Sequence, residues 1–215
     1  TFDRPLQPGE RTALSFETVM QQRGFKNSGN TTRIVDNGTF VNNFEFGPII
    51  GMDRNGTLQD RAKRRKYGLP PQLRPPKLED PKGLARNYLP NGDWVIADIA
   101  VTTDASQTPV APGYISSDTT RDGRRTVRFR TDAPVLNFFS VQSARYAIKR
   151  EVYKGVELAI YYDPQHPWNV DRMIGSLKTG LDYFQANFSP YQFRQARILE
   201  FPAYARFAQA FANTM

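Results

Sequence analysis

The segment from Gly155 to Pro202 limits the possible folds more than any other part of the chain. Over Val156 to Tyr162, large apolar residues alternate with other types, which is the period of a β-strand with one apolar face. Over 169–188, apolar residues recur at helical spacings, which predicts an amphipathic helix that Asn169 caps with its side-chain oxygen. A short apolar run at 197–201 predicts a second buried strand. The segment is therefore predicted to fold as strand, helix and strand in succession.

One side of the predicted helix carries the apolar residues that we expect in the core. They are Val170, Met173, Ile174, Leu177, Leu181, Phe184 and Phe188. Gly175 and Gly180 lie within the same helix, and each costs about 1 kcal/mol relative to alanine. Either packing outweighs this cost, or another group approaches the helix backbone closely at these two positions.

The residues before this segment contain short alternating runs separated by turn residues. Asn37-Gly38 and Asp122-Gly123 each lie between two extended runs, which is a strong signal for a β-hairpin. Asp93 to Thr103 has apolar residues at both odd and even positions, so both faces of the strand would be apolar, which favours a strand in the middle of a sheet. The predicted fold class is therefore mainly β, with an antiparallel β-saddle or sandwich followed by a short α/β segment.

The chain divides where the apolar period changes. A period of two ends at Tyr162, and a period of about 3.6 begins at Asn169. We therefore expect a β-rich domain over 1–162 and a second unit over 163–215, of which the chain holds only the start.

A basic and proline-rich crossing segment is expected over 58–90. The formal net charge of the chain is +8, and Arg61 to Lys66 carries much of the excess. Leu58 to Tyr67 is predicted to form a short helix that Gly68 closes. A solvated surface explains such a run, and the alternative partner is an anionic membrane surface. Because no aromatic residues alternate with the basic ones, we expect no nucleic-acid partner.

The residue types that carry most enzyme chemistry are sparse. The chain has one histidine and no cysteine, whereas a zinc protease needs two histidines one helical turn apart, a third ligand and a carboxylate base. That histidine, His166, lies in a predicted turn, which favours a structural or exposed role. Asp98 interrupts an apolar run and is expected at an exposed side or end of a sheet, the alternative being a functional carboxylate. The sequence assigns no catalytic, cofactor-binding or metal-ligating residue.

The order of these segments resembles the zinc aminopeptidases related to aminopeptidase N. The β-rich N-terminal domain of that family ends in a strand similar to GVELAIYY, and a helix similar to NVDRMIGSLKTGLDYFQANF opens its thermolysin-like catalytic domain. A strand similar to RILEFP follows. The run QARILEFPAYARFAQAFANT is similar to the bacterial membrane-embedded branch, in which an aminopeptidase-like domain is fused to permease-like transmembrane segments.

This resemblance implies a non-catalytic portion of a larger metalloprotein. The family's HExxH zinc motif, its downstream glutamate ligand and its amine-binding loop would lie beyond this chain, so zinc is expected only in the downstream domain of the parent. The parent would be a zinc metallo-aminopeptidase or an inactive relative. The expected partner is the rest of the same polypeptide, including its peptidase domain and transmembrane segments. The expected location is the periplasmic side of a bacterial inner membrane, and the expected role is to shape the peptide-binding cleft.

A second hypothesis is a stand-alone β-sandwich of the cell envelope that binds carbohydrate or protein. Aromatic residues would form its binding platform. The candidates are Trp94, Tyr114, Trp168 and Tyr191.

Overall fold

The computed structural model describes residues 4–21, 33–48, 58–71, 77, 79–84, 93–202, 207–212 and 214. The strands are β1 (Ile34–Val35), β2 (Gly38–Asn42), β3 (Trp94–Val95), β4 (Asp98–Asp104), β5 (Thr108–Val110), β6 (Tyr114–Arg121), β7 (Arg124–Arg130), β8 (Val135–Leu136), β9 (Ser140–Ala144), β10 (Ala147–Tyr153), β11 (Val156–Tyr162) and β12 (Gln195–Leu199). The helices are α1 (Asn43–Phe46), α2 (Arg61–Lys66), α3 (Pro81–Leu84) and α4 (Val170–Asn187). The prediction of a mainly β fold is confirmed.

The described strands form four small sheets. Their orders are β1-β2-β9-β5, β10-β11-β12, β3-β8 and β4-β7-β6. Each pairing is antiparallel except that of β11 with β12, which is parallel and has α4 as its crossover helix. The predicted antiparallel architecture with a short α/β segment is therefore confirmed, and β11 and β12 join the two predicted units in one sheet.

The β4-β7-β6 sheet has one apolar and one polar face, as the alternation in β7 predicts. Val127 and Phe129 are each 1% exposed, whereas Arg128 and Arg130 lie on the solvent side. The prediction of one central strand over Asp93 to Thr103 is wrong, because this run splits into β3 and β4, and β4 is an edge strand.

The break between β3 and β4 has a local cause. The amide of Ala97 donates to the hydroxyl of Thr131, and the amide of Thr131 donates to the carbonyl of Ala97, both at 3.0 Å. The first of these bonds diverts the Ala97 amide from the backbone of the facing strand to a side chain, at the point where the pairing of β4 with β7 ends; β3 then pairs with β8.

The first hairpin turns one residue earlier than predicted. Val35 pairs with Gly38, so the turn residues are Asp36 and Asn37, and Gly38 is already in β2. A Cβ atom at position 38 would lie 2.0 Å from the carbonyl oxygen of Ser143. The glycine therefore permits the close approach of β2 to β9, and it is not required for a positive φ angle.

β11 is buried on both faces, not on one as predicted. One face packs on α4 through Val156, Leu158 and Ile160. The other face packs through Ala159 and Tyr161 against a second cluster of the core. The reason is its place in the middle of the β10-β11-β12 sheet, which has α4 on one side and the rest of the β-structure on the other.

The bounds of α4 and β12 differ slightly from the predicted 169–188 and 197–201. Asn169 has a φ of 63° and makes no side-chain cap hydrogen bond, so the predicted cap is wrong; its carbonyl accepts from the amide of Met173 instead. β12 begins two residues early because Gln195 pairs with Glu157 of β11. The strand ends before Pro202, which has no backbone N–H to donate.

Only the first part of the predicted helical stripe lies in the core. The buried members are Val170, Ile174, Leu177 and Leu181. Phe184 and Phe188 are 60% and 72% exposed, which corrects their predicted place in the core. An 18-residue helix is about 27 Å long, whereas a seven-residue strand such as β11 spans about 23 Å, so the last turn has no sheet beneath it.

Candidate functional site

Two adjoining cavities lie where the loop of residues 163–169 passes the end of β12. Their volumes are about 830 Å³ and 490 Å³. His166 and Trp168 of the loop line both cavities, as does Glu200, which follows β12. Parallel pairing of β11 with β12 places the ends of both strands at the same edge of the sheet, which brings these three side chains together.

A hydrogen bond between His166 and Glu200 forms the centre of this cleft. Nδ1 of the imidazole lies 2.8 Å from Oε1 of the carboxylate, and Oε2 accepts the backbone amide of Asp163 at 2.8 Å. The Glu200 carboxylate, assisted by the negative charge of Asp163, raises the pKa of His166 above its usual value, although partial desolvation opposes this. Since Nδ1 donates to Glu200, Nε2 is left to accept a hydrogen bond from a ligand when the ring is neutral.

The rest of the cleft combines aromatic surface with a few charges. The rings of His166 and Trp168 lie 5.3 Å apart, and the indole is 70% exposed. The hydroxyl of Tyr146 donates to the carbonyl of Glu200 at 2.9 Å, and burial raises the pKa of this phenol. Arg145 contributes a guanidinium group to the lining of the larger cavity.

The described lining of the two cavities is poor in the side chains that most often act as nucleophiles. The described lining residues of both cavities include no serine, threonine, cysteine or lysine to act as a nucleophile beside His166. Across the described part of the chain, no cluster of three or more His, Asp or Glu side chains is arranged to hold a metal ion. The cleft therefore offers a hydrogen-bonding imidazole and a flat aromatic surface, and no catalytic group is assigned to it.

A third concavity, of about 660 Å³, lies on the outer face of α4. It is lined by Arg172, Gly175, Ser176, Thr179, Gly180 and Tyr183. A Cβ atom built on Gly175 or Gly180 would have no other atom within 4 Å, apart from the neighbouring residues and the helix's own backbone. No group in the described structure approaches these glycines closely, which was one of the two alternatives that the sequence left open.

An aromatic cluster lies at the C-terminal end of α4, where Tyr183 of the outer face meets Phe184 and Phe188 of the stripe that extends past the sheet. The ring of Phe184 lies 5.5 Å from that of Tyr183 and 5.6 Å from that of Phe188. All three side chains are more than half exposed. Exposed aromatic surface of this kind is typical of an interaction surface.

The four aromatic residues proposed as a platform do not lie together as one exposed surface. The ring of Tyr114 is covered by the guanidinium of Arg194 at 4.1 Å. Tyr191 is largely buried and donates to the carbonyl of Gln195, and burial raises its pKa to about 12. Trp94 and Trp168 are each 70% exposed, and only Trp168 lines the cleft.

Asp98 has a structural role, as the sequence favoured. Its carboxylate accepts two hydrogen bonds from Arg128, at 2.6 and 2.8 Å, and one from Arg130 at 2.8 Å. These bonds hold the pKa of Asp98 well below its usual value. The alternative of an isolated functional carboxylate is therefore not supported.

The sequence did not single out Glu200 as a site residue. It is separated from His166 by 34 residues, and only the parallel pairing of β11 and β12 brings them together. The one available signal was a carboxylate directly after a predicted buried strand, at the edge where the loop before α4 also begins.

None of the helices in the described ranges is both long and apolar enough to cross a membrane.

No protein-family model and no curated protein matches the chain. Among solved structures, an M1 zinc metallopeptidase from Deinococcus radiodurans has 20% identity and a TM-score of 0.44 over 52% of this chain. A mutant from the same organism bound to a Tyr-Ser-Ala substrate has 21% identity and a TM-score of 0.45 over 52% of the chain. A mutant two-domain M1 zinc metallopeptidase bound to L-arginine has 20% identity and a TM-score of 0.44, again over 52%. The match covers 28% of each of these solved chains, and a similarity of this size assigns neither family nor activity to the chain.

Proposed function

We propose that this chain is a non-catalytic, β-rich portion of a membrane-anchored, aminopeptidase-like metalloprotein. In this proposal, residues 1–162 form the N-terminal β-domain and residues 163–215 begin the peptidase domain. The parent is a zinc aminopeptidase or an inactive relative of one, and its zinc is held by residues outside this chain. The sequence resemblance over β11, α4 and β12 motivates the proposal.

The observation that carries the proposal is the open outer face of α4. This helix buries one face on the β10-β11-β12 sheet, while its outer side presents two glycines that no described group approaches within 4 Å of a built Cβ. Its C-terminal end, which extends past the sheet, presents three exposed aromatic rings. Such a helix is expected to be the first layer of a domain whose next layer packs against the glycines. We infer that this next layer belongs to the same polypeptide.

The cleft at His166 and Glu200 fits the same proposal. It lies at the loop where the two proposed units meet, and it offers hydrogen-bonding and aromatic groups. In the intact protein, this cleft would form part of the wall that receives a peptide.

Metal analysis together with an activity assay tests the non-catalytic role. The purified chain should bind no stoichiometric zinc and should not cleave an aminoacyl-naphthylamide. Zinc bound at one ion per chain, or steady turnover of the reporter by this chain, would overturn the proposal. The gene downstream of Met215 should encode a HExxH motif if the parent is active, whereas an otherwise similar domain without this motif would indicate an inactive relative.

The proposed location is the periplasmic side of a bacterial inner membrane. Alkaline phosphatase fused within the intact gene product next to this chain should be active, because that enzyme needs disulfides that form outside the cytosol. An inactive fusion that is nevertheless expressed at the same level would contradict this location.

The alternative function, a carbohydrate-binding envelope module, has one observation in its favour. Trp168 is 70% exposed and lies at the cleft beside His166. Saturable binding on a glycan array that is lost in Trp168→Ala and retained in Trp94→Ala would favour this alternative over the aminopeptidase-like role.

A further inference from the structure

The short helix α2 carries most of its positive charge on its exposed surface. Its six residues are RAKRRK, and Arg61, Lys63, Arg65 and Lys66 are exposed. Only Arg64 turns inward, where its guanidinium donates to the carbonyls of Leu58 at 2.6 Å and Pro70 at 2.9 Å. The two ends of this segment are thereby tied together, and the other four cations are exposed to solvent.

No acidic side chain among the described residues neutralises these four cations. Asp60, the nearest carboxylate in sequence, accepts the backbone amide of Lys63 at 2.7 Å as the helix cap. None of the ion pairs between described residues includes a member of α2.

Several basic residues of the sheets, unlike those of α2, form ion pairs with carboxylates. Arg125 pairs with Asp118, and Arg128 and Arg130 pair with Asp98. Along α4 and its sheet, the ammonium groups of three lysines each meet a carboxylate. These pairs are Lys149 with Asp171, Lys154 with Asp182 and Lys178 with Glu151. The charge on α2 is therefore a local excess and does not reflect a general property of the surface.

Apolar groups lie directly beside this charge. Tyr67 is 65% exposed and Leu69 is 42% exposed, and the turn between them is made by Gly68 with a φ of 64°. The ammonium of Lys66 lies 5.9 Å from the centre of the Tyr67 ring. A cationic surface with an adjacent tyrosine and leucine matches the chemistry of a lipid interface, where cations meet headgroups and amphipathic rings sit at headgroup level.

We propose that α2, together with Tyr67 and Leu69, is a contact surface for anionic phospholipid headgroups. Nucleic acid also attracts unpaired cations, but α2 contains no aromatic residue between its basic positions on which bases could stack. This inference does not rest on the proposed aminopeptidase-like role, since it depends only on residues 58–70.

Vesicle sedimentation tests the proposal with the purified chain. Vesicles of phosphatidylcholine with about one-third phosphatidylserine should bind at least about tenfold more strongly than pure phosphatidylcholine, and high salt should remove the difference. Lys63→Gln combined with Lys66→Gln should weaken binding about 25-fold, because each cation near an anionic surface contributes about fivefold. Neither change removes the backbone groups that form the cap.

Two further variants separate net charge from position. Arg121→Gln combined with Arg124→Gln removes the same charge from the β6–β7 turn and should leave vesicle binding within about twofold. Tyr67→Ser should weaken binding without changing net charge. Circular dichroism should confirm that all variants melt like the parent chain.

Each remaining outcome overturns the proposal. These outcomes are equal binding to neutral and anionic vesicles, equal losses in the α2 variant and the β6–β7 control, and retention by a duplex oligonucleotide but not by vesicles. Binding to the oligonucleotide that depends on Lys63 and Lys66 would assign α2 to nucleic acid instead.

Discussion

Nδ1 of His166 lies 2.8 Å from Oε1 of Glu200, and this contact ties the loop between β11 and α4 to the end of β12. The second carboxylate oxygen of Glu200 holds the amide of Asp163 in the same loop. One carboxylate therefore fixes the loop at both its start and its middle. The two cavities of the candidate site exist in their present shape because the loop is held there.

The titration of His166 should report this contact directly. His166 is the only histidine, so its imidazole resonance in proton NMR is unambiguous. Its pKa should lie above 6.5 in the parent chain and should fall in Glu200→Gln, which removes the principal cause of the increase. Glu157→Gln, near the start of β11 and so at the opposite end of the strand from the loop, is the control and should leave the titration unchanged. A His166 pKa that does not respond to Glu200→Gln would contradict the contact.

The same contact predicts how stability depends on pH. Because folding raises the pKa of His166, its protonated form contributes stability that is fully present below the ordinary value near 6.5 and is lost as pH rises through the raised value. His166→Gln should therefore lower the melting temperature more at about pH 5 than at about pH 9. A larger loss at the alkaline pH would contradict the sign of the shift.

Gly38→Ala should destabilise the fold. A Cβ atom at this position would lie 2.0 Å from the carbonyl of Ser143, and β2 and β9 would have to separate to accommodate it. We expect a loss of about 1 to 3 kcal/mol in the free energy of unfolding, measured with urea, as is typical of overpacking. An unchanged unfolding midpoint would show that the two strands are not in this close register.

The two glycines of α4 should behave in the opposite way. Gly175→Ala and Gly180→Ala place a methyl group in open space, so each should stabilise this chain by about 1 kcal/mol through helix propensity. In the intact parent protein the same changes should weaken packing of the next layer and lower its stability. Destabilisation of the isolated chain would mean that the glycines already pack within it.

Asp98→Asn should lower stability in a way that depends on pH. The pairs with Arg128 and Arg130 hold the pKa of Asp98 below 3.8, so their contribution is present above that value and is lost as the pH falls through the lowered one. The loss caused by Asp98→Asn should therefore be evident at neutral pH and should shrink in strong acid. Asp122→Asn, at an exposed turn, is the control. Equal effects of both variants would contradict the structural role of Asp98.

Local periodicity predicted the elements, and tertiary pairing decided their places. The alternation in Val156 to Tyr162 predicted β11, but its burial on both faces depends on β10, β12 and α4 together. The apolar spacing predicted α4, but not that Phe184 and Phe188 would extend past the sheet. Turn residues predicted the first hairpin with a shift of one residue, because Gly38 is set by its contact with Ser143 across the sheet.

The candidate site was less predictable than the fold. His166 was recognised as the only histidine, and its turn position was correct. Its partner Glu200 could not be identified, because no local pattern relates a residue after one strand to a loop after another. Strand pairing creates that relationship only when β11 and β12 lie side by side.

Hydroxyl-radical footprinting of Tyr183, Phe184 and Phe188 tests most directly whether the C-terminal end of α4 is part of an internal interface. The three rings should oxidise readily in this chain, where they are exposed, and should be protected in the intact gene product. Trp94, on the β3-β8 sheet, provides an internal reference within each sample. If these three rings oxidise equally in both proteins relative to Trp94, no further layer covers this end of the helix and the proposed role is wrong.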